Sequence, residues 1–155
     1  MALSQRSQYA VRAVFELAKR DGSGTVKAAS IAEAQYVPVR FLENILGQLR
    51  HAGIIDSVRG KDGGYRLSRP PELVSVGQVI RSVQGPLSAV DCIVPRPGDQ
   101  AGTVRECALR PGCVLLPMWE KAHEAMMAVY DGTTFGDLVE QERAAHTPAV
   151  MDYAI

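Results

Sequence analysis

The stretch Ile54-Ile55-Asp56-Ser57-Val58-Arg59-Gly60-Lys61-Asp62-Gly63-Gly64-Tyr65-Arg66-Leu67 decides the fold. Two strand-like runs, Ile54 to Arg59 and Tyr65 to Ser68, flank five residues rich in glycine, which tolerates the positive φ values of a reversal. The stretch therefore reads as a β-hairpin with a basic tip. Just upstream, Phe41, Leu42, Ile45, Leu46 and Leu49 recur at three- and four-residue steps and form an apolar helical stripe. Pro38 suits the first position of that helix, and Ala52-Gly53 ends it. Earlier still, Tyr9, Ala10, Ala13, Val14, Leu17 and Ala18 predict a helix from about Ser4 to Lys19, stopped by Asp21-Gly22-Ser23-Gly24. A helix of two turns at most follows, opened by Ser30 or the preceding turn and burying Ile31, Ala32 and Ala34. Beyond the hairpin, Pro70-Pro71 breaks the chain. Ser75-Val76-Gly77-Gln78 then reads as a capping box for a helix with Val76, Val79, Ile80 and Val83 inward.

The 155 residues suit one modest domain plus an appendage. A hydrophobic content of 46% with 22% charged residues excludes wholesale disorder and low-complexity polymers. No apolar run approaches the roughly 18 residues of a membrane helix, and the first residues lack a basic start followed by an apolar block. A cytoplasmic protein with no membrane partner is expected. The formal net charge of zero is a cancellation: residues 1–70 carry 11 Lys and Arg against 6 Asp and Glu, whereas residues 71–155 carry 6 against 11. The halves are thus +5 and −5, and the basic half suits a polyanion.

Three helices followed by a hairpin, with excess positive charge, is the element order of a winged helix-turn-helix, whose third helix lies in the major groove of DNA. With the apolar stripe inward, Arg40, Glu43, Asn44, Gly47 and Gln48 face outward. Arg suits guanine O6 and N7, Asn or Gln suits adenine N6 and N7, and Glu accepts from cytosine N4. Arg59 and Lys61 frame the wing tip, where a guanidinium can enter a narrow minor groove and an ammonium can neutralise phosphate. Gln5 and Arg6 could also meet phosphate. The same side chains would equally furnish an ordinary solvated helix and hairpin.

Residues 85–112 contain Pro86, Pro95, Pro97 and Pro111 with no sustained period and read as an irregular loop. From 113 to 130 a helix returns, with Leu115, Met118, Trp119, Ala122, Ala125, Met126 and Val129 along a seam near the coiled-coil repeat. Pro117 places its regular start a few residues after Cys113. Thr134 through Asp137 suggests a cap for a last short helix bearing Phe135, Leu138 and Val139, and residues 145–155 read as a flexible tail. The three cysteines, Cys92, Cys107 and Cys113, all fall in the loop and the opening of the long helix. Their odd number argues against a disulfide framework, and the paired Cys-x2-Cys knuckles of a zinc site are missing. Three thiolates from one loop suit an iron-sulfur cluster, or are three unrelated thiols. His123 lies about 15 Å along the helix from Cys113 at about 1.5 Å per residue, too far to complete a small cluster. Asp91 and Glu106, adjacent to Cys92 and Cys107, have suitable chemistry. Neither a phosphate-binding loop nor a nucleophile-base pattern is present, so the chain is not expected to be an enzyme.

Leu3-Ser4, Tyr9-Ala10-Val11-Arg12, Ile31-Ala32-Glu33, Phe41-Leu42-Glu43, Leu46, Leu49, Gly53-Ile54-Ile55 and above all Ser57 through Leu67 resemble the Rrf2 family of bacterial transcription regulators. The likeness runs from residue 1 to about 140. The family includes IscR- and NsrR-like iron-sulfur regulators and a cluster-free regulator of cysteine metabolism. The resemblance implies a fold that is mainly α with a small β-hairpin. It divides into a winged helix-turn-helix over 1–84, a cysteine-bearing loop over 85–112, a dimerisation helix and C-terminal helix over 113–144, and the tail. It further implies a homodimer joined along the long helix and reading a pseudo-palindromic operator in double-stranded DNA, with Glu43 and Arg59 at DNA-reading positions. An iron-sulfur cluster, 2Fe-2S or 4Fe-4S, would be held by Cys92, Cys107 and Cys113 near the partner's first helix. This chain has Gln8 where relatives carry an acidic ligand, and Leu116 where others carry His. The fourth-ligand candidates are thus Gln8 of the partner subunit, Asp91 and Glu106. The expected function is a homodimeric transcription regulator, a repressor, whose operator binding is modulated by the cluster. Its alternatives are a cluster-free regulator with a thiol-disulfide switch, Cys107 and Cys113 being the pair, and a protein-interaction adaptor on the same fold.

Overall fold

Helix α1 (Gln5–Lys19) begins where the Ser4 hydroxyl accepts a hydrogen bond from the Ser7 backbone N–H, satisfying one of the donors every helix start leaves free. It buries Ala10, Ala13, Val14, Leu17 and Ala18. The computed structural model describes residues 3–60, 63–88, 90, 92–93 and 107–146. Lys61, Asp91, Glu106 and residues 147–155 therefore lie outside the described residues. Helix α2 (Ala28–Gln35) starts after Lys27, which makes no side-chain cap bond. Ser30 thus sits inside the first turn instead of capping it. Glu16, only 3% exposed, ties these two helices together by accepting from Arg20 at 2.6 Å and from Gln35 Nε2 at 2.9 Å. A buried carboxylate persists only with such partners.

Helix α3 (Val39–His51) follows Pro38, which stands at the N-cap. Leu42, Ile45, Leu46 and Leu49 are buried, but Phe41 is 61% exposed. The expected inward stripe loses that member because, at about 100° per residue, position 41 lies about 90° from the centre of the face formed by the other four.

Strands β1 (Ile55–Val58) and β2 (Gly64–Leu67) pair antiparallel, from Ile55 opposite Leu67 to Val58 opposite Gly64. The expected hairpin is present, with one addition. Val26, from the loop between α1 and α2, exchanges two 2.8 Å backbone hydrogen bonds with Tyr65 and so extends the wing by one bridge. Close backbone approach explains the other two glycines better than turn geometry: of the described loop glycines only Gly60 has a positive φ, at 116°. A Cβ on Gly63 would lie 2.4 Å from the Val58 carbonyl oxygen, and one on Gly64 would lie 2.6 Å from that of Val26. Both positions need glycine for close backbone approach.

Helix α4 (Val76–Gln84) carries the expected capping box, with Ser75 Oγ accepting from the Gln78 N–H and the Gln78 side chain accepting from the Ser75 N–H. At its far end Gln84 Oε1 accepts from the Ser4 N–H and the Ser7 hydroxyl, so α4 is joined to the start of α1. Helix α5 (Leu116–Gly132) has Pro117 in its first turn, and α6 (Phe135–His146) brings Phe135 and Val139 back into the same core as α1 and α3. The last helix continues to His146, into the stretch read as tail. Backbone bonds from Val76 N–H to the Thr133 carbonyl and from Phe135 N–H to the Val74 carbonyl bolt the α5–α6 corner to the start of α4.

Ser75→Ala should lower stability by about 1 kcal/mol, the usual cost of losing such a cap, as read from the midpoint of urea unfolding. Thr134 donates to Asp137 through both its hydroxyl and its backbone N–H, and these bonds hold the Asp137 carboxyl below the usual carboxylate range. A depressed carboxylate stabilises the fold above its unfolded value, and that contribution is lost as pH falls through the folded one. Asp137→Asn is expected to flatten the acid limb of the melting temperature against pH.

Candidate nucleic-acid interface and cysteine loop

Once the buried face of α3 is set, helical geometry places Arg40, Asn44, Gly47 and His51 opposite it. Arg40, Glu43, Asn44 and His51 are exposed. Asn44 Nδ2 lies 3.3 Å from the Arg40 carbonyl oxygen one turn back. Glu43 is exposed, and Arg50 Nη1 donates to Ser57 Oγ at 3.3 Å, which links α3 to β1. Gln48 departs from the expected outward row. It is half-buried, and its Oε1 is buried with no hydrogen-bond partner among the described residues. It turns toward a cleft that Arg6, Asn44, His51 and Ser82 also line. A neighbouring cleft is shared by Gln5, Arg6, Tyr9, Phe41 and Asn44, so the start of α1 stands beside the outward face of α3. Arg59 is exposed immediately after β1. His51 was not among the expected reading residues, although its phase, one step beyond Arg40, Asn44 and Gly47, marks it as outward.

Geometrically, the surface offers a guanidinium, a carboxylate, an amide and an imidazole on one helix, with Arg6 across a shared cleft and Arg59 exposed just after β1. Such donors and acceptors can address base edges and phosphates together.

The second cluster is the cysteine loop. Cys92, Cys107 and Cys113 are free and half-exposed. One residue is bonded to all three: the Arg110 N–H donates to the Cys107 carbonyl at 2.9 Å, the Arg110 carbonyl accepts from the Cys113 N–H at 3.3 Å, and Arg110 Nη1 donates to the Cys92 carbonyl at 2.7 Å. Among the described residues, no three His, Cys, Asp or Glu side chains converge on a metal-sized site. Gln8 is exposed and donates to the Leu3 carbonyl. Arg12 is engaged by the Gln35 carbonyl and the Tyr9 ring.

Helix α5 leads away from this loop and buries none of its residues within the chain. Leu115, Met118 and Val129 of the expected seam are exposed, Val129 by 63%, while Trp119 and Met126 are half-buried. Its far end is held by a two-pronged ion pair from Arg81 to Asp131, at 2.7 and 3.1 Å. The approach is close enough that a Cβ on Gly77 would fall 2.0 Å from Asp131 Oδ1. No described helix is long and apolar enough to cross a membrane.

Compared with known proteins, residues 3–141 match the model of the Rrf2 family, described as iron-dependent transcriptional regulators. The chain belongs to the Rrf2 family. It is 33% identical over 139 residues to the Rrf2 regulator IscR of Aliivibrio salmonicida, covering 90% of this chain and 77% of that one. Among solved structures it is similar to T. potens IscR, with a TM-score of 0.73 at 32% identity over 95% of this chain and 92% of that one. It is also similar to CymR, the global cysteine regulator of B. subtilis, with a TM-score of 0.70 at 30% identity over 91% and 98% of the two chains. These relatives establish the winged-helix fold and the role of a DNA-binding transcription regulator, not an enzyme.

For a bidentate base contact from the wing of this Rrf2 protein, Arg59→Ala should weaken specific binding by about 1 to 3 kcal/mol. Arg6→Ala should weaken binding to all duplexes alike and reduce the salt slope by about one. Titration of a labelled duplex at several salt concentrations separates the two.

Proposed function

We propose that this Rrf2 regulator acts as a homodimer on a pseudo-palindromic operator, using α3 and the wing, and that an iron-sulfur cluster in the cysteine loop modulates the binding. The observation that carries the regulatory half is the Arg110 hub, which hydrogen-bonds to the backbone of all three free cysteines ahead of α5. Soft thiolates are the donors such clusters use, so the residue types suit the group, and the Arg110 bonds hold the backbones of the three cysteine segments together, although among the described residues their side chains do not converge on one site. When bound, the cluster supplies an iron- and redox-responsive link among Cys92, Cys107 and Cys113.

The protein's own residues then relate that loop to the reading surface. The loop runs directly into α5, and the Arg81–Asp131 pair with the Val76–Thr133 bond fastens the end of α5 to α4. Helix α4 is joined to α1 through Gln84 and packs against α3. A tilt of α5 is thereby passed to α3 as a rigid movement, because close-packed helices shift as bodies. The exposed apolar seam of α5 supports the dimer: a second copy would cover it, and two heads must sit about 34 to 36 Å apart, or a multiple, to meet successive half-sites. A gap of about 1.4 kcal/mol between matched and mismatched spacings changes binding tenfold. A thiol-disulfide switch between Cys107 and Cys113 is the second reading. It is supported by two free, half-exposed thiols on one short segment that the Arg110 backbone bonds span.

Anaerobic reconstitution with iron and sulfide should give a coloured protein with charge-transfer absorption and stoichiometric iron, and Cys107→Ala should abolish both. A colourless, iron-free product would remove the cluster and leave the thiol switch, which alkylation mapping after mild oxidation would then show. Arg110→Ala keeps every thiol and is expected to lower the iron content several-fold under the same conditions.

A further inference from the structure

Tyr36 has a backbone that favours glycine and a side chain that the fold leaves unused. It ends α2 with φ 51° and ψ 45°, the left-handed region, and among the described residues it is the only non-glycine with a positive φ. Its N–H bonds to the Glu33 carbonyl, and the next N–H, of Val37, bonds to that of Ala32, a helix ending at which glycine is the default. A side chain with a Cβ is disfavoured in this conformation, most of all a bulky one. Yet the ring is 87% exposed and repays nothing by packing. A strained residue held without an internal return points to a role outside the fold.

Its surroundings say which role. Tyr36 stands in the turn between α2 and α3, immediately before the segment Pro38, Val39, Arg40 and Phe41, all exposed at the end of α3 that carries Arg40. Only Val37, 4% exposed, anchors the turn in the core. The carbonyl end of α2 would ordinarily repel a phosphate, but the Arg12 guanidinium binds the Gln35 carbonyl there and offsets that partial charge. A phenol hydroxyl beside a neutralised helix end is a donor suited to a phosphate oxygen.

We propose that Tyr36 is a DNA-backbone contact, its hydroxyl donating to a phosphate oxygen at the edge of the groove that α3 enters. The contact rests on the reading of α3 and the wing as the DNA surface. It fixes register without reading sequence, and it offsets the conformational strain of the turn only in the complex.

The test uses the full chain and a duplex that it selects from a random pool. Tyr36→Gly should raise the melting temperature by about 2 to 4 °C, the shift expected from relieving one strained residue in a chain of this size, while weakening binding about fivefold or more. Tyr36→Phe keeps ring and backbone, and should lower affinity by a similar factor with the melting temperature unchanged. Both losses should be as large on an unrelated duplex as on the selected one. Undiminished binding by both variants overturns the contact and leaves the α3 and wing surface standing, whereas a loss in Tyr36→Gly without one in Tyr36→Phe overturns the hydroxyl-phosphate bond. A wild-type chain that binds no duplex at low salt overturns the DNA surface itself, and this contact with it.

Discussion

The outward face of α3, proposed above as the DNA-reading surface, depends on the burial of Leu42, Ile45, Leu46 and Leu49 against the first helix and its neighbours. Each such side chain contributes about 1.5 to 3 kcal/mol when removed from water, so together the four are comparable with the net stability of a typical domain. That burial sets the rotation of α3 about its axis, and the rotation decides which polar side chains can meet a partner. Arg40, Asn44 and His51 are outward because the opposite face has no alternative. Gln48 and Phe41 fall at the edge of the buried arc, where neighbouring helices settle their fate. The cleft beside α1 takes Gln48 partly in and leaves Phe41 in solvent.

A second constraint is the corner at which α5 turns into α6. Phe135 fills the core from beyond that corner, so the long helix cannot move independently at its C-terminal end. The ion pair from Arg81 to Asp131 is moderately exposed, and such a pair alone adds little stability. Its importance is geometric. With Gly77 admitting the Asp131 carboxylate against the α4 backbone, the two helices meet at one defined angle. At its other end α5 continues the cysteine loop through the Leu116 N–H bond to the Cys113 carbonyl, so one helix connects that loop to the corner fastened on α4.

Much of this architecture was legible along the chain. Apolar spacing at 3.6 residues identifies α1, α3 and α4, the Ser75–Gln78 box marks a helix start to the residue, and the glycine-rich reversal marks the wing, because these signals are local and each depends on neighbours a few residues away. The family was equally legible in the wing motif. Three features were not. Val26 joins the wing through backbone hydrogen bonds, to which its side-chain pattern is blind. Arg110 acts as a hub because Cys92 returns to it across an 18-residue separation. Tyr36 occupies a left-handed turn with no glycine to announce it.

The amino-acid order alone thus determined the helix and strand periods, the charge asymmetry, the cysteine triad and membership in the Rrf2 family, since composition, spacing and motif are properties of the chain itself. Which flank of α3 faces the cleft, which residue holds the cysteine segments together, and which helix ends unpartnered were decided only in three dimensions. Those outcomes depend on contacts between segments far apart in sequence, whose relative placement follows from close packing of the core and cannot be read from any single stretch.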